Sequence, residues 1–387
     1  MSFLKYRLAY VLTPIEFGGA QRVSLDLLLN VNRKKFEISP ILFFRPWEQD
    51  TFFLKEIKKA GFSAYTIPVS FGSHDHLWLF RRFSKLFSFL RQNHFDLLHT
   101  HGYVADILGI PCANLLTTPV VSTCHGFIEN DRKLALYNRL DRFILRFCDE
   151  IIAVSIDIRN LLVSRGIKSS SIRVIPNAVA TNIDETSSLI HRQTMRKRFA
   201  FSETDFVLGY AGRLSREKGL LSLIEAVSLT RKAGCPAKLL IVGEGSQRDE
   251  LEDAVRKQGL EDAVVFAGFQ SEVDQFLSAM DAFVLPSLTE GTPIALLEAM
   301  AHGIPAIASA VGQIPEIIDP GKNGLLAPPG KVNEVRDAIL LLYNNPSIRK
   351  NISKVARKTI EDQFDIKIWV KRIESEYLRV IKSHRGS

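Results

Sequence analysis

Glu290-Gly291-Thr292-Pro293-Ile294-Ala295-Leu296-Leu297-Glu298-Ala299-Met300-Ala301 reads as a loop running into a helix. From Ile294 to Ala301 every helical face is apolar except at Glu298, and a helix that is apolar all round is a buried one. A carboxylate on such a helix is costly without hydrogen-bond donors, so Glu298 is expected to meet a demanding partner. Thr292 is expected as the N-cap and Pro293 as the first helical residue. The apolar, strand-like residues 282–285 precede this stretch and residues 305–308 follow it, which gives strand, loop, buried helix, strand. The helix start offers N–H groups to an anion. Glu290 stands just before it and Glu298 further along. Two carboxylates bracketing an anion-binding helix end suit a ligand with a phosphate centre and hydroxyls at both ends.

The chain has 387 residues, more than one typical core organises, so two domains are expected. Hydrophobic content of 46% and charged content of 24% exclude a disordered or fibrous class. No apolar run reaches membrane-spanning length, and Met1 to Thr13 reads as a first strand rather than a signal peptide. Cys112, Cys124, Cys148 and Cys235 are scattered without metal-ligand spacing, so free thiols in a reducing cytoplasm are expected. A formal charge of +8 permits nucleic acid, an anionic membrane surface or a phosphate-rich ligand and selects none of them.

Working outward, short apolar strands alternate with amphipathic helices, the pattern of α/β layers with parallel sheets. Strands are expected at 6–12, 36–44, 96–100, 119–124, 150–154 and 172–175. Gly18-Gly19 makes the first strand–helix turn, and His99-Thr100-His101-Gly102 and His125-Gly126 follow later strands. Residues 181–198 are dominated by polar side chains and read as an interdomain linker. A second series then begins at 206–210, 237–242 and 264–267, with Gly212-Arg213, Gly243-Glu244-Gly245 and Gly268-Phe269 behind its strands. The expected organisation is an N-terminal domain over 1–180, a linker over 181–200, a C-terminal domain over 201–364 and a final helix over 365–387. Ligands of such sheets bind beyond the carboxyl ends of the strands, and two facing sheets would surround one cleft with these loops.

These residues resemble the signature of GT4-type retaining glycosyltransferases (glycosyltransferase group 1). The resemblance rests on Glu290 to Pro293, Leu297 to Ala301 and Gly303-Ile304-Pro305. In the same order run Gly18 to Arg22, His125-Gly126, Ala153-Val154-Ser155, Val174 to Asn177, Gly212-Arg213-Leu214, Glu217-Lys218-Gly219, Val242 to Gly245 and Asn323 to Leu326. It covers about residues 6–365. Gln313 departs from it, standing where the family often has a second glycine after Gly312, and Ser309-Ala310 replaces a frequent polar or acidic pair.

The resemblance implies a GT-B fold of two Rossmann-like domains facing a central cleft, with the C-terminal helix packing back on the N-terminal domain. It implies an enzyme, a hexosyl- or N-acetylhexosaminyltransferase using a nucleotide-diphosphate sugar, with a UDP-sugar as the first expectation. Arg213 and Lys218 can neutralise the diphosphate leaving group through charge-assisted hydrogen bonds. Glu290, with the backbone of Gly291, Thr292, Pro293, Ile294 and Ala295, holds the transferred sugar and phosphate, and Glu298 accepts from the ribose hydroxyls. Gly18 and Gly19 allow close backbone approach to the donor. His125 is placed at the sugar, with His99 and His101 expected as loop residues nearby. Phe269 and Gln270 are candidates for the base, with Gly243 and Glu244 lining the same pocket. No cofactor and no metal is expected, since no Asp-x-Asp motif occurs and positive charge can replace a metal.

Residues 74–91 carry Trp78, Leu79, Phe80, Phe83, Leu86, Phe87, Phe89 and Leu90 at helical spacing, with Arg81, Arg82, Lys85 and Arg91 on the other side. The helix either packs only on its sheet or also meets a membrane surface carrying a lipid-linked acceptor. The expected partners are a nucleotide-sugar donor, a glycan or lipid-linked acceptor and an anionic membrane surface, with a cytoplasmic or peripheral inner-face location and a role in cell-surface polysaccharide or glycolipid synthesis. Two rival readings stay open: a GT-B nucleotide-sugar epimerase, and a non-catalytic basic nucleic-acid-binding α/β protein. The latter needs base-stacking aromatics beside cations, and only 78–91 approaches that, so no nucleic acid is expected.

Overall fold

The computed structural model describes residues 5–13, 19–44, 51–68, 78–126 and 132–386, without the side chains of residues 20, 78 and 132–136. The chain divides into two compact units, residues 1–177 with 367–387, and residues 178–366.

The first unit carries strands β1 (Tyr6–Leu12), β2 (Phe36–Phe44), β3 (Tyr65–Pro68), β4 (Leu97–His101), β5 (Val120–Cys124), β6 (Glu150–Ala153) and β7 (Ile172–Val174). They form one sheet in the order β3-β2-β1-β4-β5-β6-β7, parallel throughout. The second unit carries β8 (Phe206–Ala211), β9 (Ala237–Val242), β10 (Val264–Gly268), β11 (Ala282–Leu285), β12 (Ala306–Ser309) and β13 (Leu325–Ala327), in the order β10-β9-β8-β11-β12-β13 and again parallel. Central strands such as β8 and β11 are buried along their whole length, as parallel strands covered by helices on both faces must be. Strand order reverses between β1 and β4 in one sheet and between β8 and β11 in the other, and such switch points are where α/β sheets open a ligand crevice.

The structure corrects three sequence expectations. Residues 181–200, expected as a linker, contain the helix Glu185–Arg198 and lie inside the second unit. Asp184 caps that helix through the N–H groups of Thr186 and Ser187. Arg196 is buried because it donates to Asp281 Oδ2 at 3.1 Å and to the carbonyls of Ala279, Ser202 and Asp205. Its polarity marks a charge docked on a core, not a solvated tether. The strand expected at 96–100 runs one residue later, which places both His99 and His101 within β4. In the helix Trp78–Asn93, Leu86 and Leu90 enter the core, and so does Arg82, 5% exposed, whose Nε donates to Pro68 O. Arg81, Lys85 and Arg91 are exposed, so three cations of that helix rather than four face solvent. Residues 74–77 lie outside the described residues.

The helix Ile366–Gly386 belongs, from Lys367 onward, to the first unit. Its Tyr377 is fully buried against β4, Glu374 accepts from the backbone N–H of Asn32 at 2.7 Å, and Arg379 donates to Glu150. Among the described residues no helix is long and apolar enough to cross a membrane.

Candidate active site

The loops behind the second sheet are locked across its switch point. After β8 the chain makes a 3-10 turn, Arg216–Lys218, and leaves it through Gly219 at φ +65°. A Cβ on Gly219 would sit 2.3 Å from the Pro286 carbonyl oxygen, so only glycine lets the β8 loop lie against the β11 loop. Leu288 N–H donates to Glu217 O at 2.7 Å, and the side chains complete the seam. Lys218 Nζ donates to Glu290 Oε1 at 2.6 Å, and Ser287 Oγ donates to the same oxygen at 2.7 Å. The Glu290 side chain is 8% exposed and that of Lys218 18%. Lys218, expected as a cation for the leaving diphosphate, is paired with Glu290, while Arg213 is exposed.

Gly243 and Gly312 do the same for neighbouring loops. Gly243 has φ +140°, and its Cβ would lie 1.9 Å from Gly212 O. Its N–H donates to Gly268 O and that of Gly212 to Val242 O. Gly243, expected to line the donor pocket, is where one loop presses on the next. A Cβ on Gly312 would lie 2.0 Å from Glu290 O. Of the other residues expected at the base, Glu244 is half exposed and accepts from Arg248 Nη1 at 3.3 Å. Phe269 is 52% exposed, a ring with an open face, and Gln270 Nε2 donates back to Ala267 O.

The helix begins one residue later than the sequence suggested. It spans Ile294–Ala301 with Pro293, at φ −76° and ψ 106°, in the N-cap position and no side-chain cap. Thr292 is drawn away from capping because its Oγ1 donates to Gln313 Oε1 at 2.5 Å. Gln313, the departure from the family pattern, is thereby explained: its buried side chain fastens the β12 loop to the β11 loop, and its N–H donates to Gly291 O. Six of the eight helical residues are buried, and Ala295 and Glu298 are the two that are not. Three residues apart, they share one face. The first-turn N–H groups have no acceptor within their own helix. Arg213, the Lys218–Glu290 pair, this helix start and Glu298 thus lie along the carboxyl ends of one sheet.

In the first unit the carboxyl ends carry a buried histidine chain. His99 shares hydrogen bonds with Tyr377 Oη at 2.5 Å and Thr123 Oγ1 at 2.8 Å. His101 shares one with Tyr10 Oη at 2.7 Å and one with His125 Nε2 at 3.3 Å. Expected as loop residues, His99 and His101 are core residues satisfied by this network. Burial pulls His99 down to about 3, His125 to about 4 and His101 well below the usual range, so all three are neutral at pH 7. His125, half-buried at the end of β5, is the member that reaches the surface. Gly19 is exposed at the start of the helix Gly19–Asn30, and Gly18 lies outside the described residues.

A carboxyl pair under this sheet was not foreseen. Asp106 accepts from Thr100 Oγ1 and from Ser122 Oγ at 2.8 Å, and it hydrogen-bonds Asp141. Burial raises both carboxyls; Asp141 is pushed up further by the neighbouring Asp106 carboxylate, while the Thr100 and Ser122 hydroxyls hold Asp106 down. At neutral pH the proton of the pair is expected on Asp141. In sequence Asp106 looks like an ordinary acidic residue of a first helical turn, and nothing local marks it. A carboxyl whose pKa is raised on folding loses stability as pH rises from its unfolded value, near 4, to its folded one. Asp141→Asn keeps a hydrogen-bond donor and removes that titration. Its stability relative to wild type is expected to rise by about 1.4 kcal/mol per pH unit above about pH 4, read from urea unfolding at pH 5, 6, 7 and 8. A pH-independent difference removes the shared proton.

Residues 191–359 match the family model described as glycosyl transferases group 1, and residues 17–183 match that of glycosyltransferase family 4. The chain belongs to the family 4 glycosyltransferases. It is 28% identical over 314 residues, 78% of this chain and 80% of the relative, to the N-acetyl-alpha-D-glucosaminyl L-malate synthase of Bacillus anthracis. It is 24% identical over 387 residues, 97% and 98% of the two chains, to the UDP-Gal:alpha-D-GlcNAc-diphosphoundecaprenol alpha-1,3-galactosyltransferase of Escherichia coli. Among solved structures, Anabaena HepE in complex with UDP-glucose matches 96% of this chain and 98% of its own, with a TM-score of 0.81 at 21% identity. That likeness identifies the GT-B fold.

Proposed function

We propose that this glycosyltransferase moves a hexosyl or N-acetylhexosaminyl group, with retention, from a nucleotide-diphosphate sugar to a hydroxyl of a lipid-linked or glycan acceptor. The observation that carries the reading is the Lys218–Glu290 pair set at the sheet's switch point beside a helix start. A diphosphate arriving there meets the Arg213 guanidinium, the Lys218 ammonium and the N–H groups of Gly291, Thr292, Ile294 and Ala295. Glu290, relieved of its cation, turns its carboxylate to the sugar hydroxyls. Glu298 takes the ribose and Phe269 stacks on the base. His125 is the first unit's candidate catalytic group. This positive charge supplies leaving-group stabilisation without a metal. A UDP-sugar is the first donor to test, since HepE was solved with UDP-glucose and the Escherichia coli relative is named for UDP-Gal. That relative's diphosphoundecaprenol acceptor also supports a lipid-linked one here, in polysaccharide synthesis at the inner face of the membrane.

Incubation with radiolabelled UDP-, GDP- and ADP-sugars tests the reading. Slow hydrolysis of one donor is expected, undiminished in excess EDTA. Hydrolysis of none sinks the transferase assignment, and a magnesium-reversible loss in EDTA sinks the metal-free site.

Peripheral membrane binding is expected to be weak and salt-sensitive, through Arg81, Lys85 and Arg91. Each cation near an anionic surface adds about 1 kcal/mol, and salt screens it. Changing all three to Gln is expected to remove most co-sedimentation with anionic vesicles. A wild type that stays in the supernatant at low salt discards the membrane reading.

A further inference from the structure

His125, at the end of β5, has one ring nitrogen taken and one open. Its Nε2 shares a hydrogen bond with His101 Nδ1 at 3.3 Å. Its Nδ1 has no hydrogen-bond partner among the described residues and is not one of the polar atoms sealed from solvent. A neutral imidazole carries one N–H, and the bond made by one nitrogen decides which of the two has it. The groups behind His101 therefore decide whether His125 offers an N–H or a lone pair at its open nitrogen.

His101 is buried within β4, with its ring packed on His99 at a centroid distance of 4.4 Å and on Tyr10 at 4.8 Å. Its Nε2 meets Tyr10 Oη at 2.7 Å. Tyr10 is buried on β1, and burial pushes its phenol well above the ordinary value, so the hydroxyl keeps its proton. Two observations put the proton of this bond on the tyrosine. A phenol is a far stronger acid than the N–H of a neutral imidazole. The distance of 2.7 Å also suits an O–H donor, whereas an N–H donor to oxygen prefers about 2.9–3.0 Å. The side chain of Ser24, in the helix Gly19–Asn30, hydrogen-bonds Tyr10 as well.

Once Tyr10 O–H donates to Nε2, the proton of neutral His101 is on Nδ1. That N–H faces His125 Nε2 at 3.3 Å and Ser24 Oγ at 3.4 Å, and a ring nitrogen lone pair is the better acceptor. His125 Nε2 accepts, so the proton of His125 stands on the open Nδ1.

We propose that Tyr10 and His101 are positioning residues that hold His125 in its Nδ1–H form, so that His125 meets its ligand as a hydrogen-bond donor and not as a base. The proposal rests on the reading of His125 as the group of the first unit that touches the substrate. The Nδ1–H is left for an oxygen of the sugar nucleotide or of the acceptor. With its lone pair directed inward, His125 takes no proton from the acceptor hydroxyl, and that proton leaves to another group.

Proton–nitrogen correlation spectra of the histidine rings, taken on the ligand-free protein at pH 7, test the order of bonds. His125→Asn, at a half-buried position, marks the His125 signals by their disappearance. A proton-bearing Nδ1 and a bare Nε2 are expected for His125. A proton on Nε2, or exchange between the two nitrogens, overturns the proposal. Tyr10→Phe removes the first donor and keeps the ring in the core. It should turn His125 into a mixture of both forms and lower kcat/KM about tenfold, the loss of one hydrogen bond. Turnover is read with the sugar nucleotide that the wild type hydrolyses. In a His125→Leu background the same change should cost nothing further, since it acts only through His125. His101→Gln, whose amide accepts from Tyr10 and donates to His125, should keep the Nδ1–H form and most of the turnover, and His101→Leu should lose both. An unchanged His125 spectrum in Tyr10→Phe, or an equal penalty in the His125→Leu background, overturns the positioning role. Full turnover in His125→Leu beside an Nδ1–H wild type leaves the order of bonds standing and overturns the contact of His125 with substrate.

Discussion

Arg213→Ala is expected to lower kcat by about 10²-fold or more, as loss of a group that stabilises developing negative charge does, and to leave the melting temperature unchanged. Arg213 is exposed behind β8, so its removal leaves no buried partner unsatisfied. Lys218→Ala should cost turnover equally but also stability, because it strips the counter-ion from a Glu290 carboxylate that is 8% exposed. Ser287 still donates to that carboxylate, which limits the loss to about 1–3 kcal/mol. Adding Glu290→Gln to Lys218→Met removes the stranded charge. The double variant should recover most of the stability and none of the turnover. Near-wild-type kcat in Arg213→Ala, or recovery of turnover with stability in the double variant, rules out the leaving-group role.

Gly243→Ala is expected to destabilise the second unit by about 2–6 kcal/mol. The φ of +140° belongs almost wholly to glycine, and that strain costs about 1–3 kcal/mol. The Cβ would also lie 1.9 Å from Gly212 O, a backbone atom that moves only if the β8 loop moves, and overpacking costs a further ~1–3 kcal/mol. Gly330→Ala is the matched control. Its φ is +72°, but nothing lies within 4 Å of its Cβ, so it should cost about 1–2 kcal/mol. Urea unfolding of both variants compares them. Equal losses mean that loop packing contributes nothing at Gly243.

The strands were legible because parallel strands covered on both faces are short apolar runs, as in Ala282–Leu285 and Ala237–Val242. The loops were legible as places, since glycine and charge cluster behind those runs. What each loop residue touches was not. Lys218 and Glu290 are 72 residues apart, and no local pattern pairs them. Thr292-Pro293 satisfied every local rule for a helix start, yet a glutamine 21 residues on takes the threonine hydroxyl. The helix Glu185–Arg198 was read as a linker because its polarity conceals an arginine whose partners are backbone carbonyls and a distant aspartate. His99 and His101 looked like loop histidines because their partners, Tyr377, Thr123 and Tyr10, lie 278, 24 and 91 residues away, and no local pattern joins them.

The first unit is built from two separated stretches, residues 1–177 and 367–387, while the second is a single stretch between them. During synthesis, at about 5–20 residues per second, the first unit must wait about 10–40 s for its last helix. Through that interval His99 lacks Tyr377, the N–H of Asn32 lacks Glu374, and the pocket that the tyrosine ring fills stands open. The second unit, begun later, can finish sooner. A released chain ending at Ile366 should therefore resist protease over 178–366 and remain cleavable over 1–177. The chain's middle is then the first part to become native, and its beginning the last.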